Sequence, residues 1–155
     1  MERNGSSQRK GNPVSDRFSR HRGIGMKKVL IVEDETLISL DLKNRMESNG
    51  YLVLPIANSA ARAIEIALQE RPDIILVDIV LKGDQDGIDA ARSIVEKYPV
   101  PILFITGNIK FIDRERLGNI PFYRILGKPA FENVLLDAIA ELLSSAADRS
   151  KTSKR

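Results

Sequence analysis

Residues 74–78 read Ile-Ile-Leu-Val-Asp, four apolar side chains in succession closed by a carboxylate. A strand with one wet face alternates apolar and polar residues, whereas an unbroken apolar run suits a strand covered on both faces. Helices are therefore expected above and below this segment, and Asp78 emerges where burial ends. Val29 to Val32, Ile102 to Ile105 and Phe122 to Leu126 read as further strands. Leu52 to Ala57 reads as another, and its Pro55, which cannot donate to a ladder, suits a sheet edge.

Helical spacing fills the intervals between these runs. Leu37, Ile38, Leu40, Leu42 and Met46 recur on one stripe until Asn49-Gly50 ends it. Asn58 or Ser59 can cap an Ala-rich helix that runs to about Glu70, before Pro72 stops it. Ile88, Ala91, Ile94 and Val95 define a third helix after the turn-rich residues 82–87, closed by Pro99. A weaker helix is predicted over roughly Ile109 to Leu117, and a final amphipathic one carries Leu135 to Leu143. Five strand–helix units with short connections predict an α/β fold: a doubly wound, five-stranded parallel sheet with five helices and right-handed crossovers.

A chain of 155 residues can bury one core of ordinary size, and 43% hydrophobic with 29% charged residues is a globular composition. No apolar run approaches a membrane span, and the opening residues are polar and basic without an apolar signal core, so a cytoplasmic location is expected. The net charge of +3 has its sign from the ends: residues 1–25 carry +4, residues 148–155 carry +3, and residues 26–147 carry −4. Residues 1–25 are expected to form a disordered basic arm, residues 26–146 the folded domain, and residues 147–155 a disordered basic tail. Met26, directly before a strand, is an alternative start that would make the arm an extension. An acidic domain with basic ends is not the pattern of a nucleic-acid binder, whose basic stripe lies on folded elements.

In an open parallel sheet, functional groups gather outside the carboxyl ends of the strands. Here those ends carry Glu33-Asp34-Glu35, Asp78, Thr106 and Lys128-Pro129. Carboxylates crowded at one edge raise one another's pKa and call for a cation. With no Cys and a single histidine, His21, in the arm, an all-oxygen site favours Mg²⁺. Asp is a known phosphoryl acceptor, Lys128 can pair with a phosphoryl oxygen, the Thr106 hydroxyl can bond another, and Gly107 leaves room for the group to enter. Each residue taken alone also has an ordinary role: Glu33-Asp34-Glu35 as a helix N-terminus, Thr106 as a β-branched strand residue, Lys128 as a solvated loop lysine. Asp84, Asp86 and Asp89 read as a solvated loop and helix start, with Asp86 a helix cap.

Together, Val32-Glu33-Asp34-Glu35, Leu76-Val77-Asp78-Ile79, Asp86-Gly87, Ile105-Thr106-Gly107 and Lys128-Pro129 resemble the receiver domain of two-component response regulators over about residues 27–145. The resemblance implies a flavodoxin-like sheet of strand order 2-1-3-4-5 and a signalling module rather than a turnover enzyme. It implies Asp78 as phosphoacceptor, Glu33 and Asp34 as the acidic pair at Mg²⁺, and Val80 as the source of a backbone carbonyl ligand. It also implies Thr106 as the switch hydroxyl, Lys128 as the phosphate-pairing lysine, and a cis bond between Lys128 and Pro129. The implied partners are a sensor histidine kinase or phosphotransfer protein and a downstream protein target, with a homodimer as a further option and no DNA-binding domain or membrane contact. Phe111, Ile112, Phe122 and Tyr123 are candidates for the surface that partners read.

One position departs from the family pattern: receivers commonly carry Tyr or Phe three residues before the lysine, and this chain has Ile125. Tyr123 shares its face of the strand by period-two alternation and is the expected substitute. Phe104-Ile105-Thr106-Gly107 is similar to stand-alone receivers that lack the aromatic. The departure leaves a second reading, a receiver fold used as an interaction module without phosphorylation. An aspartate-nucleophile phosphatase or dehalogenase fits less well, because Asp78 follows the third strand and Val80 stands where a second acid is needed. A nucleotide-binding fold lacks its phosphate loop, since Gly23-Ile24-Gly25 precedes the first strand.

Overall fold

The structure, a computed structural model, describes residues 25–153; the expected arm up to Ile24, His21 within it, and residues 154–155 lie outside the described residues. Five parallel strands run in the order β2-β1-β3-β4-β5: β1 Lys28–Val32, β2 Leu52–Val53, β3 Ile74–Asp78, β4 Ile102–Thr106 and β5 Tyr123–Gly127. Among the described residues the α-helices are α1 Thr36–Ser48, α2 Ala60–Glu70, α3 Gly87–Val95 and α4 Glu132–Ser153. The strand order is the expected one. The number of α-helices is four rather than five.

Alternation along the strands divides the core into two layers. Leu30, Val32, Ile75, Val77, Ile102 and Phe104 pack against α2 and α3. Val29, Ile31, Ile74, Leu76, Leu103 and Ile105 pack against α1 and α4. All five residues of β3 are buried, as an apolar run between two helical layers requires.

The missing fourth helix is a pair of 3₁₀ turns, Ile109–Phe111 and Arg114–Leu117. Between them Ile112 and Asp113 are extended, and the Asp113 carboxylate accepts the Glu115 N–H at 3.1 Å. An Asp that caps locally competes with a continuous helix, and two β-branched isoleucines weaken the alternative further. The second strand is also shorter than the expected run of residues 52–57. Pro55 interrupts the ladder, which resumes as one bridge between Val32 and Ala57, and the strand lies at the edge.

Helix α4 continues to Ser153, past residue 146 and into the stretch expected to be a disordered tail. No Gly or Pro follows Pro129 to stop it, and Ala146-Ala147 favours its continuation. No helix among the described residues is long and apolar enough to cross a membrane.

Candidate functional site

Parallel register aligns the strand ends. Val32 lies beside Val77, Asp78 beside Ile105, and Thr106 beside Gly127, so the residues at or just beyond these positions share one edge. Glu33 and Asp34 follow β1, Asp78 and Thr106 end β3 and β4, and Lys128 follows β5. Glu33, Asp78 and Thr106 are buried, with 3%, 7% and 2% of their surface exposed. Polar groups are seldom buried without partners, and each of these has one.

Lys128 stands between the acids. Its Nζ lies 2.9 Å from Asp78 Oδ2 and 3.1 Å from Glu33 Oε1, across a sequence separation of 95 residues in the second case. The other oxygens take backbone donors: Val80 N–H to Asp78 Oδ1 at 3.1 Å and Glu35 N–H to Glu33 Oε2 at 3.1 Å. Asp34 Oδ2 accepts the N–H of Lys82 at 2.9 Å, which ties the β3–α3 loop to the end of β1. Burial, with the negative charge of Asp78, pushes the Glu33 carboxyl above its ordinary range despite the Glu35 N–H and the Lys128 ammonium. Burial opposes charge on Lys128 too, but hydrogen bonds to Asp78 and Glu33 outweigh it and hold the ammonium above its ordinary value.

Glu33, Asp34 and Asp78 each present a carboxylate oxygen, all within 4.8 Å of one another. Three carboxylates against one ammonium leave a negative excess at a partly buried edge, and the donors are all oxygen. That donor set fits Mg²⁺. The cluster opens onto a cleft of about 520 Å³ lined by Asp34, Asp78, Val80, Thr106, Gly107 and Lys128, among others. A Cβ added at Gly107 would meet nothing within 4 Å, so the cleft has room there. Gly87 is the opposite case: a Cβ would lie 2.1 Å from the Asp78 carbonyl oxygen and 2.7 Å from Val77 Cγ1. The start of α3 therefore packs directly under the strand end that carries Asp78.

The Lys128-Pro129 bond is cis, as expected. Asp86 caps α3, also as expected, and the structure adds a reciprocal box with Asp89. Sequence reasoning missed the partner of that box. Arg116, from the second 3₁₀ turn, reaches Asp86 with Nη1 at 2.8 Å and Nη2 at 2.7 Å, and Asp89 with Nη2 at 2.8 Å. Burial works against ionisation of Asp86, but the Arg116 and Asp89 hydrogen bonds more than offset it and hold the carboxyl below its usual range.

Ile125 is half-buried, and it and Tyr123 pack against the same core layer. The Tyr123 ring meets Phe104 edge to face, with centroids 6.2 Å apart, two residues before Thr106. Of the four residues proposed as a partner surface, Phe111 is strongly exposed, while Ile112, Phe122 and Tyr123 pack partly into the core.

A five-stranded sheet of this order with acids, a hydroxyl and a lysine at its carboxyl edge defines a receiver-type signalling module. The family model for the response regulator receiver domain matches residues 29–140, and the chain belongs to that family. Among relatives, it is 38% identical over 113 residues to the transcriptional regulatory protein PdtaR of Mycobacterium tuberculosis, covering 73% of this chain and 55% of PdtaR. It is 39% identical over 79 residues to the phyllosphere-induced regulator PhyR of Methylorubrum extorquens, covering 50% of this chain and 30% of PhyR. The chain thus matches about half or less of the length of these relatives. Among solved structures, the N-terminal domain of a response regulator/sensory box/GGDEF protein from Carboxydothermus hydrogenoformans superposes with a TM-score of 0.74 at 30% identity, over 80% of this chain and 99% of that one.

Proposed function

We propose that this chain is a phosphoacceptor receiver of a two-component system, phosphorylated on Asp78 by a histidine kinase or phosphotransfer protein in the cytoplasm. The observation that carries the reading is the placement of Lys128 against Asp78 and Glu33, with Asp34 alongside. In the reaction, an Asp78 carboxylate oxygen attacks phosphorus, the P–N bond to the donor histidine breaks, and the imidazole leaves with the bond's electron pair. Mg²⁺, held by Asp34, Asp78, the Val80 carbonyl and, through water, Glu33, would supply charge neutralisation for the transferring group. Lys128 pairs with a phosphoryl oxygen, and the Thr106 hydroxyl donates to another. The acyl phosphate then biases the packing around β4 and β5, which a protein target reads.

A specific observation favours a second reading. Ile125 has no aromatic ring to rotate, which suits an interaction module that works without phosphorylation. Incubation with acetyl phosphate and Mg²⁺, followed by intact-mass measurement of wild type and Asp78→Asn, separates the two. One phosphoryl group gained by wild type and none by the variant supports the phosphoacceptor; no gain in wild type supports the interaction module. Continuous release of phosphate at enzyme-like rates would overturn both.

A further inference from the structure

We propose that Arg116 is a positioning residue: by gripping Asp86 and Asp89 it ties the loop beside the acidic cluster to the segment after Thr106, so that cation binding and the conformation of residues 109–117 depend on each other. The inference rests on the reading of Glu33, Asp34 and Asp78 as a Mg²⁺ site.

The loop between β3 and α3 carries two backbone groups of the site, the amide of Val80 on Asp78 and that of Lys82 on Asp34. Its two ends are joined by the Gly87 N–H on the Ile79 carbonyl at 2.8 Å. Its far end is the capping box, and there the Arg116 guanidinium occupies both oxygens of Asp86 and one of Asp89. A planar fork of this kind fixes direction as well as distance, which a single ammonium cannot reproduce.

The other end of the tether is a segment whose first turn is loosely held. That turn rests on long hydrogen bonds, Phe111 N–H to Asn108 O at 3.3 Å and Ile112 N–H to Ile109 O at 3.4 Å, whereas the second is closed by Arg116 N–H on the Asp113 carbonyl at 3.2 Å and capped by the Asp113 carboxylate. Ile109 and Phe111 are exposed, and the buried Leu117 and the Arg116 fork anchor the far side. On the near side the Asn108 N–H donates to Thr106 Oγ1 at 3.3 Å. Both ends of the segment are therefore attached to groups of the site, one through Thr106 and one through Arg116 and the loop. A segment joined to the site at both ends is placed to pass a change at one on to the other, and coupling between binding and conformation is reciprocal.

Hydrogen exchange of the full chain, with and without MgCl₂, together with calorimetric Mg²⁺ titration, tests this on wild type, Arg116→Ala and Arg116→Lys. In wild type, Mg²⁺ alters exchange in both residues 79–87 and residues 109–117. In Arg116→Ala, exchange without Mg²⁺ rises about fivefold or more in both segments. Its Mg²⁺ affinity falls about fivefold or more, and residues 109–117 stop responding to the ion. Arg116→Lys falls between the two. Wild-type Mg²⁺ affinity in Arg116→Ala, or a response at 109–117 that survives the substitution, overturns the coupling. Unchanged exchange of residues 79–87 in Arg116→Ala overturns the positioning role. If wild type itself binds no Mg²⁺, the metal reading of the cluster fails and the coupling falls with it, a different result from failure of the Arg116 tether.

Discussion

Lys128 offsets part of the negative charge of the site, and its removal has a calculable direction. Losing one partner of a fully buried ion pair costs about 3–5 kcal/mol, because the remaining charge is stranded. The Lys128 side chain is 23% exposed, so water reaches the ammonium and softens the penalty. Lys128→Ala is expected to lose about 1–2 kcal/mol in urea denaturation without Mg²⁺, and less with it, since the ion supplies the missing positive charge. Equal destabilisation in both conditions would contradict this. Asp86 gives a pH prediction. Its folded pKa lies below the unfolded value, so the Asp86–Arg116 pair stabilises the fold above the unfolded carboxylate pKa of about 3.9, and that contribution disappears as pH falls through the folded value. Arg116→Ala should therefore be less stable than wild type at neutral pH and approach it in stability in acid; a constant difference down to the acid limit would refute the assignment. The two residues differ in how they could be read from sequence. Lys128 sits at a strand end, where parallel topology predicts neighbours, whereas Arg116 pairs with Asp86 across 30 residues with no periodicity or motif to announce it.

At the scale of elements, α3 and β3 meet at Gly87. A Cβ there would drive into the backbone carbonyl of Asp78, so Gly87→Ala is expected to cost about 1–3 kcal/mol, read from the urea midpoint. Gly107→Ala is the control: its Cβ meets nothing within 4 Å, and stability should stay within about 0.5 kcal/mol of wild type. If both variants behave alike, the close packing under Asp78 is not as described. The elements themselves were legible to different degrees. Unbroken apolar runs made β1, β3 and β4 plain, and Pro55 marked the sheet edge. The 3₁₀ turns were not, because Ile109, Ile112 and Leu117 have helical spacing and the deciding interaction is the Asp113 carboxylate on the Glu115 N–H. The end of α4 was also missed: basic composition suggested a tail, while helix propensity with no stop signal carries the helix to Ser153.

Across the whole molecule, two apolar layers hold the sheet and leave its carboxyl edge as the place where charge collects. The alternation of runs and periodic stretches conveyed this arrangement, because burial on both faces and short connections leave few topologies. Phosphoryl transfer to Asp78 requires the acids that follow β1 and end β3 to act as one cation site in the folded state. A ligand that binds only the folded protein stabilises it by mass action, about 2.7 kcal/mol at a hundred times Kd. Calorimetric titration of wild type, Asp34→Asn and Asp78→Asn with MgCl₂ tests the claim most directly. One Mg²⁺ per wild-type chain, with affinity about tenfold or more weaker in each variant, is the predicted result; undiminished binding in both variants, or none in wild type, would contradict it.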